Sequence, residues 1–192
     1  ELRAQDPVQF QLLMQGASFI ELAEGERIVE AGEIDNHYYF LLKGQLSVYA
    51  SRAPHEPELN RITPGQSFGG LSILGNQPRT ASIGVSPACP QALLIALDLT
   101  PLGNLLDFSR INLATKLAIY RTVVNNTRWQ LEVYKMDYPD HQLTQKSKQI
   151  EVFIGKRHTE AELESLHRQV LQLAELLTAW NRALQPSGFN TS

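Results

Sequence analysis

The chain has 192 residues, 43% of them hydrophobic, 19% charged and 8% aromatic, with a formal net charge of −3. This globular composition excludes a disordered, collagen-like or purely coiled-coil chain, and the charge excludes a strongly basic nucleic-acid binder. No apolar run approaches the roughly 20 residues of a bilayer crossing, so no membrane role is expected. The single cysteine, Cys89, allows no intrachain disulfide framework and fits a reducing, cytoplasmic setting. No basic-then-apolar leader opens the sequence, and its start at Glu1 without a Met is compatible with a leader having been cut away.

Charge and turn residues divide the chain near residue 100. Residues 1–100 carry six basic and eleven acidic side chains, a balance of −5, with nine Gly and seven Pro. Residues 101–192 carry eleven basic and nine acidic, a balance of +2, with three Gly and three Pro. Gly and Pro punctuate short elements, so the first part reads as a turn-rich β unit and the second as helical.

In chain order, residues 6–16 read as a short helix capped by Asp6, opened by Pro7 and ended by Gly16. Short β-type runs follow, among them SFIEL, RIVEA, HYYFLL, QLSVYA, TASIGV and ALLIALDL, separated by Gly or Pro turns. Pro54 and Pro57 mark a loop between Ser51 and Asn60. Many short strands at this spacing predict a sandwich or jelly roll. After Pro101, LGNLLDF predicts a short helix, and Ser109 a cap for the next. Leu113, Leu117, Tyr120, Val124, Thr127, Leu131 and Tyr134 form a heptad seam with one polar member. Pro139 closes that helix. Residues 140–158 read as a linker with a short helix or strand. Thr159 and Glu162 make a capping box. Leu163, Leu166, Val170, Leu173, Leu177, Trp180 and Leu184 form a second seam, stopped by Pro186 and Gly188. Each seam either packs on the chain's own core or meets another copy. The strict period at 159–184 favours self-association or packing on another helix.

The stretch with chemical content is PGQSFGGLSILGNQPRTASIGV, residues 64–85. Gly69 and Gly70 let backbone approach a ligand. Leu71 to Leu74 fit one helical turn, whose opening N–H groups favour an anion. Arg79, in a Pro78-Arg79-Thr80 corner, reaches back with two donors for a phosphate, and Thr80 adds a hydroxyl. Ala81, Ile83 and Val85 anchor that corner on a strand. The residue types leave a second reading open, in which Arg79 pairs with a carboxylate or faces water.

Residues 19–137 resemble the cyclic nucleotide-binding domain of catabolite-activator-type regulators and of the regulatory subunit of cAMP-dependent kinase. The resemblance rests on Gly25-Glu26-Arg27-Ile28, Gly32-Glu33, Tyr39 to Val48 with Lys43-Gly44, Pro64-Gly65-Gln66-Ser67-Phe68-Gly69, and Pro78-Arg79-Thr80-Ala81. It implies an α+β chain: a mainly-β double-stranded β-helix of eight strands over 1–100, a dimerising C-helix within 101–137, and a linker and helical tail over 138–192. It further implies a phosphate-binding cassette at 68–81. Site residues implied or weighed are Phe68, Gly69, Gly70, Leu71, Arg79, Thr80 and Ala81, with Thr127 and Arg128 (and Trp129) near the base. The implied ligand is cAMP or cGMP. The family's Phe-Gly-Glu stands here as Phe68-Gly69-Gly70. Loss of a carboxylate that accepts the ribose 2′-hydroxyl weakens binding by about one to two powers of ten.

The expected function is thus a non-catalytic sensor. It would act as a homodimer through helix 109–137, with a protein partner at helix 159–184. The alternative is a degenerate domain that serves as a dimerisation platform without nucleotide. Residues 138–192 hold no helix-turn-helix pattern, so no DNA binding is expected. Gly155-Lys156-Arg157 is not a P-loop, and the five histidines have no zinc spacing, so neither catalysis nor a metal is expected. Asn125-Asn126-Thr127 matches a glycosylation sequon by chance, inside a helix.

Overall fold

The computed structural model describes residues 6–51 and 58–184. The loop expected between Ser51 and Asn60 and the stop at Pro186 and Gly188 lie partly or wholly outside these residues. Among the described residues, eight strands form two antiparallel sheets. One sheet runs in the order β1 (Ala17–Ala23), β8 (Gln91–Asp98), β3 (His37–Lys43), β6 (Ser67–Phe68). The other runs β2 (Arg27–Val29), β7 (Ser82–Val85), β4 (Leu46–Tyr49), β5 (Asn60–Ile62). This is the eight-stranded α+β jelly roll read from the sequence.

Strand alternation assigns the two faces of β3. Tyr39 and Leu41 point into the space between the sheets, with Leu46, Val48, Ile83 and Leu94. Tyr38 points the other way, into a second core shared with the helices. Successive strand side chains face opposite sides, so one strand serves both cores.

Among the described residues, five helices cover that second face. Helix α1 (Pro7–Met14) starts where Asp6 Oδ1 accepts from Gln9 N at 3.1 Å, as its sequence predicts. Helix α2 (Gly70–Leu74) is the single turn expected between β6 and β7. Helix α3 (Leu113–Asp137) is the long C-helix, α4 (Gln142–Ser147) is a short piece in the linker, and α5 (Glu160–Ala183) is the tail helix.

Two local expectations are corrected. LGNLLDF makes no α-helix; only a 3₁₀ turn at Thr100–Leu102 forms, and it ends at Gly103, whose φ is +57°. Asn112, not Ser109, caps α3, its Oδ1 accepting from Thr115 N at 2.9 Å. Ser109 is engaged upstream, its N–H donating to Asp107 Oδ1. The capping box at Thr159 is half built. Thr159 Oγ1 accepts from Glu162 N at 3.3 Å, but the Glu162 carboxylate turns to His158 N and to Arg121.

The two heptad seams meet each other within one chain. Leu117, Tyr120, Val124, Thr127, Leu131 and Tyr134 of α3 are buried together with Leu163, Leu166, Val170, Leu173, Leu177 and Trp180 of α5. The two helices pack along their length, and α5 also lies on α2. Of the alternatives read from the sequence, packing within the chain is the one met: the seam in 109–137 is covered by the chain's own tail, and the seam in 159–184 packs on another helix, α3. A 3.5-residue period shows that a helix has an apolar face; it does not show what covers it. Arg121 and Glu162 bind α3 to α5 with two bonds of 2.8 Å.

Candidate functional site

A cavity of about 360 Å³ lies between the roll and the helices. That size is within the usual range of small-molecule sites, roughly 300–1,000 Å³. Its floor is β-roll backbone and side chains from β5 to β7, its back is α2, and α3 and α5 wall it. Of the residues read from the sequence, Phe68, Gly69, Gly70, Leu71, Arg79, Thr80, Ala81 and Thr127 all line it. Arg128 does not: its Nη2 donates to Glu151 O at 2.8 Å and to Gln169 Oε1 at 3.0 Å, on the side of the tail. This is a correction: the two bonds hold the guanidinium against Glu151 and Gln169, outside the cavity lining.

Arg79 is 4% exposed and turned inward. Its Nη1 donates to Gly69 O at 2.6 Å, and its Nη2 to Asp35 Oδ2 and His37 O, both at 2.7 Å. It also lies over the Tyr39 ring, 5.7 Å from the centroid. Arg79 thus lines the cavity and has a carboxylate counter-ion in Asp35. Nε is buried without a partner. A guanidinium has five N–H donors, so three bonds leave donor capacity for an anion.

Asp35 was not legible as a site residue. Its carboxylate accepts from Arg79, Tyr39 OH, His37 N and His37 Nδ1 at 2.6–3.0 Å. Burial pushes its pKa up, but the bonds from Tyr39, His37 and Arg79 prevail and hold it well below the ordinary carboxylate range. Tyr39 responds in the opposite sense. Burial first, and then the bond to Asp35, push its phenol well above the ordinary range. Tyr39 and Phe68 stack with ring centroids 5.0 Å apart, which fixes the strand that leads into Gly69.

The two glycines have different reasons to be glycine. Gly69 sits at φ +91°, and a Cβ there would meet the Arg79 guanidinium. Gly70 has no such backbone demand. A Cβ on it would run into the Val123 side chain of α3, with Tyr38 Cε2 at 3.2 Å behind it. The departure from Phe-Gly-Glu is thus matched by the approach of α3. The carboxylate is missing, and the place of the Cβ that would carry it is crowded by Val123.

Further groups complete the lining, of which Tyr38, Ser67, Leu177 and Asn181 went unread as site residues in the sequence. Ser67 Oγ bonds Tyr38 OH at 2.6 Å and accepts from Asn126 Nδ2 at 3.0 Å, tying α3 to β6 at the cavity edge. Thr127 Oγ1 donates to Val123 O, so its oxygen can only accept from a ligand. Trp129 is 66% exposed at the rim. Leu177 and Asn181 enter from α5. Among the described residues no cluster of His, Cys, Asp and Glu could hold a metal, and no helix is long and apolar enough to cross a membrane.

Residues 19–89 match the family model of the cyclic nucleotide-binding domain. A type II regulatory subunit of cAMP-dependent protein kinase from Drosophila melanogaster is 36% identical over 59 residues, 31% of this chain and 16% of the relative. A regulatory subunit of the same kinase from Mycosarcoma maydis is 27% identical over 74 residues, 38% of this chain and 14% of the relative. The matched part of the chain is thus about one sixth of the length of these curated relatives. Among solved structures, the cAMP-bound PfPKA-R (141-441) overlays with a TM-score of 0.48 at 22% identity, covering 69% of this chain and 42% of that one. The regulatory domain of Toxoplasma gondii PKA with cAMP overlays with a TM-score of 0.44 at 20% identity, covering 53% and 38%.

Proposed function

We propose, from the premise that residues 19–89 belong to the cyclic nucleotide-binding domains, that this chain is a non-catalytic regulatory module whose cavity takes a cyclic nucleotide, cAMP or cGMP. The observation that carries the reading is Arg79. A buried guanidinium with an unpartnered Nε stands in the wall of a nucleotide-sized cavity, held in place by Asp35, Gly69 and His37. A phosphate placed there takes the spare donors, and Asp35 keeps the guanidinium fixed and spares it reorganisation on binding.

Affinity for these ligands is weak in this reading. Gly70 supplies no carboxylate, and Val123 crowds the place of a Cβ there. The regulatory step is a shift of α3 and the docked α5, both of which wall the cavity. A ligand can move them only if it binds one arrangement more tightly than the other. Calorimetric titration of the full chain with cAMP and with cGMP tests the reading: saturable heat supports it, and none with either ligand overturns it.

A further inference from the structure

Two polar atoms of the cavity-lining residues are buried without a partner, Arg79 Nε and Asn181 Oδ1. The first belongs to the phosphate reading. The second comes from the tail helix α5, outside the residues matched to the family. Asn181 is 3% exposed. Its Nδ2 donates to Thr80 O at 3.1 Å, at the corner that carries Arg79. That bond orients the amide, because turning it over would set oxygen against oxygen. Oδ1 must then remain an acceptor, in a buried place that offers it no donor. Native structures rarely keep such a group without a use.

We propose that Asn181 is a ligand-binding residue. Its Oδ1 accepts a hydrogen bond from a donor on the ligand, a sugar hydroxyl or a base amino group, and this makes the tail helix a working wall of the site. The proposal rests on the cyclic nucleotide reading and deepens it. Binding then depends on the docking of α5 as well as on the cassette. Bound ligand and docked tail stabilise each other reciprocally.

The experiment is a cycle between protein and ligand, read by calorimetry on the full chain. The ligands are cAMP, its 2′-deoxy analogue, and the cyclic phosphate of purine riboside, which lacks the 6-amino group. The proteins are wild type, Asn181→Leu, and Asn181→Ser. Serine keeps a hydroxyl but is too short to span from Thr80 to the ligand, and it covers the case in which the leucine variant folds poorly. Each variant is first checked by thermal melting. The expected result is an approximately tenfold loss of cAMP affinity in the variants. One of the two analogues should bind wild type about tenfold more weakly than cAMP does, yet bind the variants as cAMP does. Which analogue behaves so identifies the donor as hydroxyl or amine. Folded variants that bind cAMP as wild type does, or analogues whose losses are the same in every protein, overturn the role of Asn181 and leave the cyclic nucleotide reading standing. A wild-type chain that binds neither cAMP nor cGMP overturns both.

Discussion

Val123 of α3 stands against the Cα of Gly70 so closely that no side chain fits between them. The C-helix is therefore seated directly on the turn that opens the cassette. Adding even a methyl group at Gly70 overpacks this contact, at a cost of about 1–3 kcal/mol. We expect Gly70→Ala to lower the urea-unfolding free energy by that amount, and Gly70→Glu to lower it further without strengthening nucleotide binding. In a Val123→Ala background the same Gly70→Ala change should cost under about 1 kcal/mol, because the colliding methyls are gone. Equal costs in both backgrounds would show that α3 does not set the limit.

The Arg79–Asp35 pair makes a pH-dependent contribution of known sign. Asp35 has a pKa well below its ordinary value of 3.8 in the folded chain. Its contribution is present in full above 3.8 and is lost as pH falls through the lower folded value. Asp35→Asn should be less stable than wild type at pH 7, and the difference should shrink below about pH 4. Removing Arg79 takes away the cationic partner of this carboxylate but leaves its bonds from Tyr39 and His37. Arg79→Ala should cost about 2–3 kcal/mol, less than for a fully enclosed pair because the Asp35 side chain is 23% exposed. Chemical denaturation over a pH series measures both.

His167 gives the tail helix a separate pH response. It lies on α5, edge-on to Tyr120 of α3 with ring centroids 6.1 Å apart. Burial lowers its pKa below 6.5, against a bond to the Leu74 backbone that raises it. A folded value below the unfolded one means that its contribution is complete above 6.5 and is lost as pH falls through the folded value. Wild type should therefore lose more stability between pH 7.5 and 5.5 than His167→Gln does. Denaturation midpoints of the two proteins at those two pH values test this, and parallel losses would contradict it.

How far the sequence could be read follows from which signals are local. The roll was legible because turn glycines and prolines and two-residue alternation are properties of a few adjacent residues, as in Tyr38 and Tyr39, which face different cores. The Gly69 to Thr80 stretch was legible as a candidate corner for the same reason, with the direction of Arg79 left open. Asp35 was not, because one acidic residue before a strand has no spacing that ties it to an arginine 44 positions later. Asn181 was hidden similarly, as a polar residue beside a seam. What covers the two seams stayed open in the sequence for a deeper reason. Leu117 and Val170 carry the same apolar signal whether a tail or a second copy covers them, and only the chain's path decides.

The tail is bound as firmly as a core element. Trp180 is fully buried and packs near the rings of Tyr134, Tyr138 and His141 at centroid distances of 4.6–6.0 Å. Trp180→Ala should cost about 3–5 kcal/mol, read by urea denaturation with circular dichroism. Trp180 is one residue from Asn181, so the variant should also weaken nucleotide binding without touching Arg79. A loss under about 1 kcal/mol would mean that α5 is not part of the cooperative unit.

The most direct test of the account is calorimetric titration of the full wild-type chain with cAMP and with cGMP beside Arg79→Ala, the variant being checked for folding by circular dichroism. Saturable heat with at least one ligand in wild type, absent from the folded variant, is the expected result. Equal heat from both proteins, or none from wild type, would contradict the assignment of the cavity to a cyclic nucleotide held by Arg79.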